Sequence, residues 1–404
     1  MFLLNTLSTH NQALEPVDVG FLGAEAAQRV ERHLEFRDNH IETPLVALPG
    51  LAADVGVAAI HIKDEGQRLG LGSFKALGGG HAVIQLVLEE ASRQLSRSVD
   101  IAELHIPAVQ SIASGMTVAC ATDGNHGRSV AQGAQIVGAR SVVFVHSGVS
   151  DERMAAITRL GAEVVRVEGT YDRSVEEAAR IAEENGWLIV SDTSWDGYER
   201  IPGLVMQGYT VLVREAIRRM PVPPTHVFIQ AGVGGIAAAV SGYLAIACGD
   251  ERPFFTVVDP ARAACIFETA RAGHPVRVEH GSPTIMAMLE CYKPSLVAWR
   301  VLCRAADAFM TVEDNEAISA MRRLARPVRA DPAIVAGESG CVGLAGLLQA
   351  AADPAIREAM GLDGTSRILL VNTEGATDPD KYEEIVGLAA STVATLADHP
   401  AART

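Results

Sequence analysis

The side chain of this chain that is best suited to chemical reaction is a lysine in a glycine-rich segment. Only four of the 34 lysines and arginines are lysine, and one of them, Lys75, lies in the apolar and glycine-rich run 70–80. Arginine can replace lysine as a surface charge, but it does not lose its proton to attack an aldehyde. A desolvated lysine can act as a Schiff-base nucleophile. The alternative is a lysine at a helix start whose ammonium extends to water, which is the common case for a single lysine.

A second run, Gln230-Ala-Gly-Val-Gly-Gly-Ile236, directly follows a predicted strand and opens a predicted helix. Glycine lets backbone N–H groups approach an anion closely, and a helix N-terminus adds its dipole. The run therefore predicts a phosphate-binding loop. It is also compatible with the dinucleotide turn of a nicotinamide-dependent dehydrogenase, although such a turn normally follows the first strand of its domain.

Two further segments place polar side chains where the chain leaves a predicted strand. Ala121-Thr-Asp-Gly-Asn-His-Gly-Arg128 precedes an alanine-rich helix, and Val371-Asn-Thr-Glu-Gly-Ala-Thr-Asp378 ends a late strand. Ligands bind at the carboxyl ends of parallel strands, so both segments are candidate site walls. The first is equally compatible with a simple helix N-cap through Asp123 or Asn125, and the second with an ordinary strand exit.

The composition favours a large globular protein that acts on small molecules. The chain has 404 residues, of which 48% are hydrophobic and 21% charged, and a formal net charge of −15. This charge argues against nucleic acid and anionic membrane surfaces as partners, but a phosphate-bearing cofactor needs only local donors. Because the sequence has neither a signal-peptide pattern nor a membrane-length apolar run, we expect a cytoplasmic location.

The six cysteines show no pairing or spacing typical of a metal site, and no metal is predicted. Most are expected to be buried thiols. Cys265 and Cys291 lie in segments that flank the predicted site region, so a disulfide between them is conceivable. A reducing compartment argues against it.

Short branched runs alternate with alanine-rich amphipathic segments along the chain. This alternation predicts βαβ units and an α/β fold with a parallel sheet. The predicted strands are 59–62, 141–145, 163–167, 187–190, 226–230, 254–258 and 367–371. The predicted helices include 151–161, 172–185, 203–219 and 343–352.

The order and spacing of these motifs resemble those of fold-type II pyridoxal 5′-phosphate enzymes, and most closely the diaminopropionate ammonia-lyase family. The resemblance extends over residues 35–390. The general motifs are Thr43-Pro44-Leu45, Ser73-Phe74-Lys75, Gly124-Asn125-His126 and Gly232-Val-Gly-Gly235. The more specific ones include Lys63-Asp64-Glu65, Gly169-Thr-Tyr-Asp172, Asp192-Thr-Ser-Trp195, Met206-Gln-Gly-Tyr209, Gly337-Glu-Ser-Gly340 and Thr373-Glu-Gly375.

The resemblance implies a fold and a domain division. Two open, mostly parallel sheets would be flanked by helices, with the cofactor in the cleft between two lobes. Residues 1–88 and 215–404 would form the large cofactor-binding domain, and residues 89–214 the small domain. By the same analogy, we expect a homodimer.

The resemblance also implies roles for individual residues. Lys75 would hold pyridoxal 5′-phosphate as an imine, and Asp123 and Asp192 would be catalytic carboxylates. The cofactor would be contacted by Phe74 beside the ring, Lys75, Asn125 at the 3′-oxygen, Gly232, Val233, Gly234 and Gly235 at the phosphate, and Thr373 at the pyridine nitrogen. The amino-acid substrate would be contacted by Asp123, Tyr171, Asp192, Thr193 and Glu338.

The implied reaction is the α,β-elimination of L- or D-2,3-diaminopropionate to pyruvate and ammonia. A threonine hydroxyl cannot stabilise a pyridinium as a carboxylate would, so the ring is a restrained electron sink and favours prompt loss of a β-substituent. The extra carboxylate of Asp123 suits a substrate with a second ammonium.

Departures from the family pattern keep other substrates open. Met288, Glu290 and Tyr292 stand where the family commonly has small residues, Ala376 replaces an aspartate, and Asp259 replaces a glutamate. Serine, threonine, 3-hydroxyaspartate or a bulkier amino-substituted alanine are alternative substrates. A pyridoxal-phosphate binder without catalysis and the dehydrogenase remain alternatives of other classes.

Overall fold

The computed structural model describes residues 1–37, 39–122, 124–169, 171–327 and 329–398. The strands found there are β1 (Phe2–Leu4), β2 (Leu45–Ala47), β3 (Ala59–Asp64), β4 (Thr117–Ala121), β5 (Arg140–His146), β6 (Glu163–Val167), β7 (Leu188–Ile189), β8 (His226–Gln230), β9 (Phe254–Pro260), β10 (Ala308–Val312) and β11 (Arg367–Asn372). The helices are α1 (Pro16–Leu22), α2 (Ala24–Glu35), α3 (Pro49–Val55), α4 (Lys75–Leu95), α5 (Pro107–Ser114), α6 (Asn125–Val137), α7 (Asp151–Thr158), α8 (Tyr171–Asn185), α9 (Arg200–Arg219), α10 (Gly235–Cys248), α11 (Cys265–Ala272), α12 (Leu296–Ala305), α13 (Asp314–Ala325), α14 (Val342–Ala352), α15 (Pro354–Met360), α16 (Pro379–Val386) and α17 (Ala390–Asp398).

The prediction of an α/β fold with two open, mostly parallel sheets is confirmed. One sheet has seven strands in the order β1-β10-β9-β8-β11-β3-β2, and only its edge strands β1 and β2 are antiparallel. The other sheet has the order β6-β5-β4-β7, and all its pairings are parallel. Every residue of β8 and β10 is buried, as expected for central parallel strands that are covered on both faces.

The chain forms two compact units, each with one sheet. Unit 1 comprises Met1–Gly23, Glu42–Phe74 and Leu212–Thr404, and unit 2 comprises Ala24–Ile41 and Lys75–Val211. These bounds differ from the sequence-based division at 88/89 and 214/215. Residues 24–41 and 75–88 belong to unit 2 because α2 and the first turns of α4 pack on helices of that unit.

Glycines account for the close packing around the start of α4. A Cβ atom on Gly78 would lie 2.5 Å from the Tyr209 ring of α9, and one on Gly133 of α6 would lie 2.8 Å from the Cα atom of Gly80. The backbone N–H of Gly80 also donates to the Ser129 hydroxyl of α6 at 2.9 Å. The glycine run after Lys75 is therefore a packing surface that fixes the first turns of α4 within unit 2.

A buried histidine pair adds a second link inside unit 2. Nδ1 of His33 in α2 lies 3.0 Å from Nδ1 of His81 in α4, and Nε2 of His81 lies 2.8 Å from Oε1 of Gln207 in α9. Because the Gln207 oxygen only accepts, His81 donates through Nε2 and accepts from His33 through Nδ1. Burial lowers the pKa of His81 to about 4 and the pKa of His33 to about 2, so both rings are neutral near pH 7.

Unit 1 contains a buried ionic network in the segments before Lys75. The Lys63 ammonium donates to Glu215 Oε2 at 2.5 Å and to the Thr43 carbonyl at 2.7 Å. The Arg68 guanidinium donates to both oxygens of Glu65 at 2.7 Å and to Glu215 at 2.6 Å. All four charged side chains are at most 2% exposed, and the two positive charges balance the two negative ones.

Among the helices of the described residues, none combines the length and the apolar character that crossing a membrane requires.

Candidate active site

Lys75 and Asp192 lie next to each other in unit 2. Lys75 is the first residue of α4, and its ammonium donates to Oδ2 of Asp192. Asp192 follows β7, whose neighbour in the sheet is β4. The exposed fractions of the two side chains are 21% and 14%, so both are accessible from one side only.

The loop that carries Asp192 is held in place by Tyr198 and Trp195, a pair that we call the aromatic clasp. The Tyr198 hydroxyl donates to the Ile189 carbonyl at 2.7 Å and accepts from the Ser191 N–H at 3.1 Å. The Tyr198 ring stacks on Trp195 with a centroid distance of 4.2 Å. The clasp thus fixes the backbone on either side of the carboxylate. Thr193 lies in the same loop, and its N–H donates to the Ser191 hydroxyl at 3.2 Å.

Asn125 and His126 stand at the start of α6, directly after β4. The Thr122 hydroxyl accepts from the N–H groups of Gly124 at 3.0 Å and Gly127 at 3.1 Å, which shapes the turn into the helix. Gly124 has a φ of 145°, a conformation that side-chain-bearing residues rarely adopt. Asn125 is buried, and its side-chain oxygen accepts from the Arg128 guanidinium.

His126 stands in the motif Gly124-Asn125-His126, but the sequence motifs gave it no role in the site. Its Nε2 lies 2.8 Å from the Val190 carbonyl, and its Nδ1 lies 4.0 Å from Oδ2 of Asp192. Within the described residues, Nδ1 is buried and makes no hydrogen bond. A histidine directly after the Asn of the loop was the available signal.

Charge and burial act in opposite directions on these groups. Burial raises the pKa of Asp192, but the charges of Lys75 and His126 outweigh it and hold that pKa below its ordinary value. Burial lowers the pKa of His126, and the Lys75 cation lowers it further, whereas the Asp192 carboxylate raises it. Burial also raises the pKa values of the Cys120 thiol and the Tyr198 hydroxyl near the same carboxylate. The resting arrangement is an ammonium–carboxylate pair beside a neutral imidazole.

In unit 1, the loop between β8 and α10 has the features of an anion site. The carbonyl oxygens of Gly232 and Val233 accept from the Cys265 thiol at 3.4 Å and the Ser295 N–H at 3.0 Å. Gly234 has a φ of 96° and forms the N-cap of α10. Among described residues, no acceptor pairs with the N–H groups of Gly232, Val233 or Gly234. The loop therefore presents backbone donors at the N-terminus of a helix.

The Thr373 hydroxyl is held in one orientation at the carboxyl end of β11. It accepts from Nε2 of Gln230 at 2.7 Å, and its own proton points to the Ser339 carbonyl over 3.5 Å. A contact of that length is weak, so the proton can be donated to a better acceptor. Gln230, the last residue of β8, was not singled out by sequence; it also donates to the Val371 carbonyl at 3.1 Å.

Phe74 joins the same end of unit 1. Its N–H donates to the Thr373 carbonyl at 2.9 Å, although the two residues lie far apart in the chain. Glu338 is also buried there, and its Oε1 lies 3.8 Å from the Lys381 ammonium. Unit 1 thus brings together Phe74 and Thr373, while Lys75 follows Phe74 directly in the sequence as the first residue of the other unit.

The departures at Glu290 and Tyr292 are accommodated within unit 1. The Glu290 carboxylate accepts from the Tyr292 hydroxyl at 2.6 Å and from the Thr284 N–H at 3.2 Å. The Met288 N–H donates to the Ser339 hydroxyl at 3.3 Å. The Glu290 carboxylate is therefore hydrogen-bonded to neighbouring residues of the same segment, 284–292.

All six cysteines are free thiols, so Cys265 and Cys291 form no disulfide in this structure. Both approach the glycine loop: Cys265 donates to the Gly232 carbonyl, and a Cβ atom on Gly232 would lie 3.1 Å from the Cys291 sulfur. Two predicted site groups cannot be placed. Asp123 lies outside the described residues, and so does the side chain of Tyr171, whose backbone begins α8.

The chain resembles known proteins in family, sequence and structure. The family model described as pyridoxal-phosphate dependent enzyme matches residues 36–374. The chain is 40% identical over 351 residues to the diaminopropionate ammonia-lyase of Escherichia coli (strain K12), a match that covers 85% of this chain and 87% of the relative. It is 36% identical to the corresponding enzyme of Salmonella typhimurium, with coverages of 86% and 88%.

A solved structure agrees over almost the whole length. The crystal structure of diaminopropionate ammonia lyase from Escherichia coli in complex with D-serine superposes with a TM-score of 0.85 at 35% identity. The match covers 96% of each chain. The similarity therefore extends over both units of the chain.

Proposed function

Because the chain belongs to the family of pyridoxal-phosphate dependent enzymes, we propose that it is an ammonia-lyase that converts 2,3-diaminopropionate, in the L or the D form, to pyruvate and ammonia. The observation that carries this proposal is the Lys75–Asp192 pair, in a chain that is 40% identical to a diaminopropionate ammonia-lyase over 85% of its length. The pair offers an amine for an aldehyde and a carboxylate for a proton or an ammonium.

The cofactor is pyridoxal 5′-phosphate, and groups of unit 1 fit two parts of it. The N–H donors of the loop at Gly232–Gly235 fit a phosphate, and the Thr373 hydroxyl, with its acceptor side filled by Gln230, fits a ring nitrogen. When bound, the cofactor supplies an aldehyde carbon that bonds to an amine and a ring that withdraws electrons from the substrate Cα atom.

In unit 1, the chain would bind the cofactor through neutral groups. Gly232, Val233, Gly234 and Gly235 would donate N–H groups to the phosphate, and Phe74 would pack beside the ring. Thr373 would donate its hydroxyl proton to the ring nitrogen and could not neutralise a positive charge there. Such a partner would favour loss of a β-substituent over transamination.

In unit 2, the chain would supply the nucleophile and the proton carriers. Lys75 would supply the amine that holds the cofactor once its ammonium has lost a proton, and Asn125 would hydrogen-bond the 3′-oxygen. Asp123 removes the Cα proton from one face of the substrate and Lys75 from the other, which accommodates both enantiomers. Asp192 binds the substrate ammonium or returns a proton to the leaving amine.

The remaining substrate contacts are proposed by position in the motifs. Tyr171 and Thr193 would lie near the substrate in unit 2, and Glu338 in unit 1. The Lys381 ammonium lies 3.8 Å from Oε1 of Glu338 and would pair with that carboxylate.

The test is a substrate screen of the purified protein saturated with pyridoxal 5′-phosphate. Pyruvate and ammonia release are measured with L- and D-diaminopropionate, with L- and D-serine, and with threonine and 3-hydroxyaspartate. We expect the highest kcat/KM for one or both diaminopropionate enantiomers. A higher kcat/KM for serine would make serine the preferred substrate. Release of no keto acid from any amino acid would indicate a protein that binds pyridoxal 5′-phosphate without catalysis.

We also propose a homodimer that works in the cytoplasm. The six free thiols of the structure fit a reducing compartment, and the dimer rests on analogy with the family. Light scattering after size-exclusion chromatography gives the mass in solution, and a monomeric mass of 42.7 kDa would contradict the dimer. Fractionation of the producing cells tests the compartment.

A further inference from the structure

His126 has a bare nitrogen in a buried and charged place. A carbonyl oxygen only accepts, so the 2.8 Å contact with Val190 fixes the proton of the neutral ring on Nε2. Nδ1 then carries a lone pair, lies 4.0 Å from Oδ2 of Asp192 and makes no hydrogen bond within the described residues. The side chain is only 5% exposed, so water does not readily satisfy that lone pair.

A purely structural histidine would gain nothing from this placement. Leaving a buried acceptor unpaired destabilises a fold. The Val190 contact by itself needs only a donor, which a glutamine or asparagine could supply. The bare Nδ1 beside a carboxylate therefore indicates a use for a proton acceptor.

A proton source contacts the same carboxylate oxygen. The Lys75 ammonium donates to Oδ2 of Asp192, and Nδ1 of His126 faces that same oxygen. Lys75 must lose a proton before its nitrogen can bond to an aldehyde. Amine, carboxylate and imidazole stand in the order that a two-step transfer needs.

We propose that His126 stores the proton that Lys75 gives up, with Asp192 as the carrier between them. This inference rests on the proposed function. An N–H bond of Lys75 breaks as an O–H bond of Asp192 forms; that O–H bond then breaks as Nδ1 of His126 gains the proton. The products are a neutral amine, a carboxylate and an imidazolium, and the same steps in reverse restore the ammonium.

The surrounding charges favour the transfer at the right stage. Among the residues that the structure describes, the titratable groups around the carboxylate are Lys75, His126, Cys120, Tyr198 and Tyr209. Burial lowers the pKa of His126, the Lys75 cation lowers it further, and the Asp192 carboxylate raises it. Once Lys75 is neutral, the repulsion ends while the attraction to Asp192 remains. His126 thus becomes a better acceptor when the proton has left Lys75.

Because Nδ1 and Oδ2 are 4.0 Å apart, they must approach by about 1 Å to form a hydrogen bond. Contacts of this kind commonly tighten when a site binds its ligands. His126 acts on the reaction through Asp192, so we assign it as a positioning residue that holds a proton.

The first test follows the protonation of His126 in the full-length protein. The nitrogen shifts of ¹⁵N-histidine-labelled protein distinguish a bare ring nitrogen from a protonated one, and the spectrum of His126→Gln assigns the signal. We expect a bare Nδ1 at neutral pH in the wild type. Lys75→Met should move the titration midpoint up and Asp192→Asn should move it down, each by about one to three pH units. Equal midpoints in all three proteins would overturn the proposal.

The second test uses the cofactor-loaded enzyme. His126→Gln retains a donor for the Val190 carbonyl and lacks the Nδ1 acceptor. We expect kcat to fall by about 10²-fold with KM nearly unchanged, and one ionisation to disappear from the pH profile of kcat. The matched control, His81→Gln, should leave kcat and its pH profile as they are.

An unchanged kcat and pH profile in His126→Gln would also overturn the proposal. A failure of the proposed function has a different signature: the midpoints would shift as expected, but the wild type would release no ammonia from diaminopropionate. That result would rule out diaminopropionate as the substrate and still support proton transfer from Lys75 through Asp192 to His126.

Discussion

The two units each contain a lysine–carboxylate pair, and the two pairs differ in how completely they are satisfied. Lys63 is fully buried, contacts Glu215 and the Thr43 carbonyl, and belongs to a network with equal numbers of positive and negative charges. Lys75 is 21% exposed and donates to Asp192. Nδ1 of His126, which makes no hydrogen bond within the described residues, lies 4.0 Å from the same carboxylate oxygen.

This difference separates a structural ion pair from a reactive one. A saturated network offers no site for an added proton or ligand, so each charge serves to cancel another. The Lys75 pair lies beside an acceptor without a hydrogen bond and can be reached from one side. We infer that chemistry is placed where buried polar groups are left incompletely satisfied.

The largest effect is expected from the removal of the Lys75 amine. Lys75→Ala should reduce kcat/KM for diaminopropionate by at least about 10³-fold, because the residue is both nucleophile and proton carrier. The visible absorption band of the bound cofactor should shift or vanish. Lys293→Ala, at an exposed lysine, should change neither quantity. Retained activity and an unaltered absorption band in Lys75→Ala would show that Lys75 is not the reactive lysine. The distinction between the Lys63 pair and the Lys75 pair would then have no basis.

Asp192→Asn tests the carboxylate of the reactive pair. It preserves the size of the side chain but cannot take up a proton, so kcat should fall by about 10²- to 10³-fold while the cofactor still binds. Asp196→Asn in the same loop is the matched control, since Asp196 is exposed. A loss of similar size in both variants would point to the loop as a whole.

Glu215→Gln tests the saturated pair. Lys63 and Arg68 would then face only the Glu65 carboxylate, and the free energy of unfolding should fall by about 3–5 kcal/mol. Urea unfolding followed by circular dichroism measures it. Glu42→Gln removes an exposed partner of Arg218 and Arg219 and should change it by at most about 1 kcal/mol. Equal changes in the free energy of unfolding in the two variants would show that burial does not determine how much an ion pair contributes to stability.

Acidification should distinguish the histidine pair of unit 2 from a segment that has no titratable group. Burial lowers the pKa of His81 to about 4 and of His33 to about 2, from 6.5 in the unfolded chain. The unfolded chain therefore binds more protons below pH 6.5, and stability falls as the pH drops from about 6.5 towards 4. In unit 1, burial also lowers the pKa of His61 and of His226, whereas helix α14 carries no titratable side chain and serves as the reference.

Hydrogen exchange at pH 7 and pH 5, corrected for intrinsic rates, measures this difference. Peptides from α2 and α4 should lose protection before those from α14. His81→Gln should reduce the difference, and His274→Gln, at an exposed histidine, should not. Equal loss of protection in α2, α4 and α14 at pH 5 would contradict the assignment.

The smallest effect is expected from the clasp over the reactive pair. Tyr198→Phe removes one hydrogen bond to the Ile189 carbonyl and one from the Ser191 N–H, and should lower the free energy of unfolding by about 1–2 kcal/mol. Because the same bonds hold the backbone beside Asp192, kcat should fall more than KM changes. An unaltered kcat would show that the loop is positioned without the clasp.

Much of the fold could be predicted from local pattern. The strands at 163–167 and 226–230 were predicted with the bounds that the structure has, because short branched runs bounded by turns are distinctive. The edge strands β1 and β2 have three residues each and were not predicted. They form by pairing with β10 and β3, which is information that no local window contains.

The candidate site divides in a similar way. The glycine loop, Lys75 and Asn125 stand in recognisable motifs, because each needs a residue type that few others replace. Gln230, His126 and Tyr198 were missed as site residues because their roles depend on partners that meet them only in the folded chain: the Thr373 hydroxyl, Asp192 and the Ile189 carbonyl.

The sequence by itself determined the α/β class, the family and the chemical types available to the site, since periodicity and motif spacing are local properties of the chain. Only the tertiary structure decided which lysine is saturated and which is reactive. That distinction depends on burial and on the number of partners around each charge, and both are set by segments that approach one another only on folding.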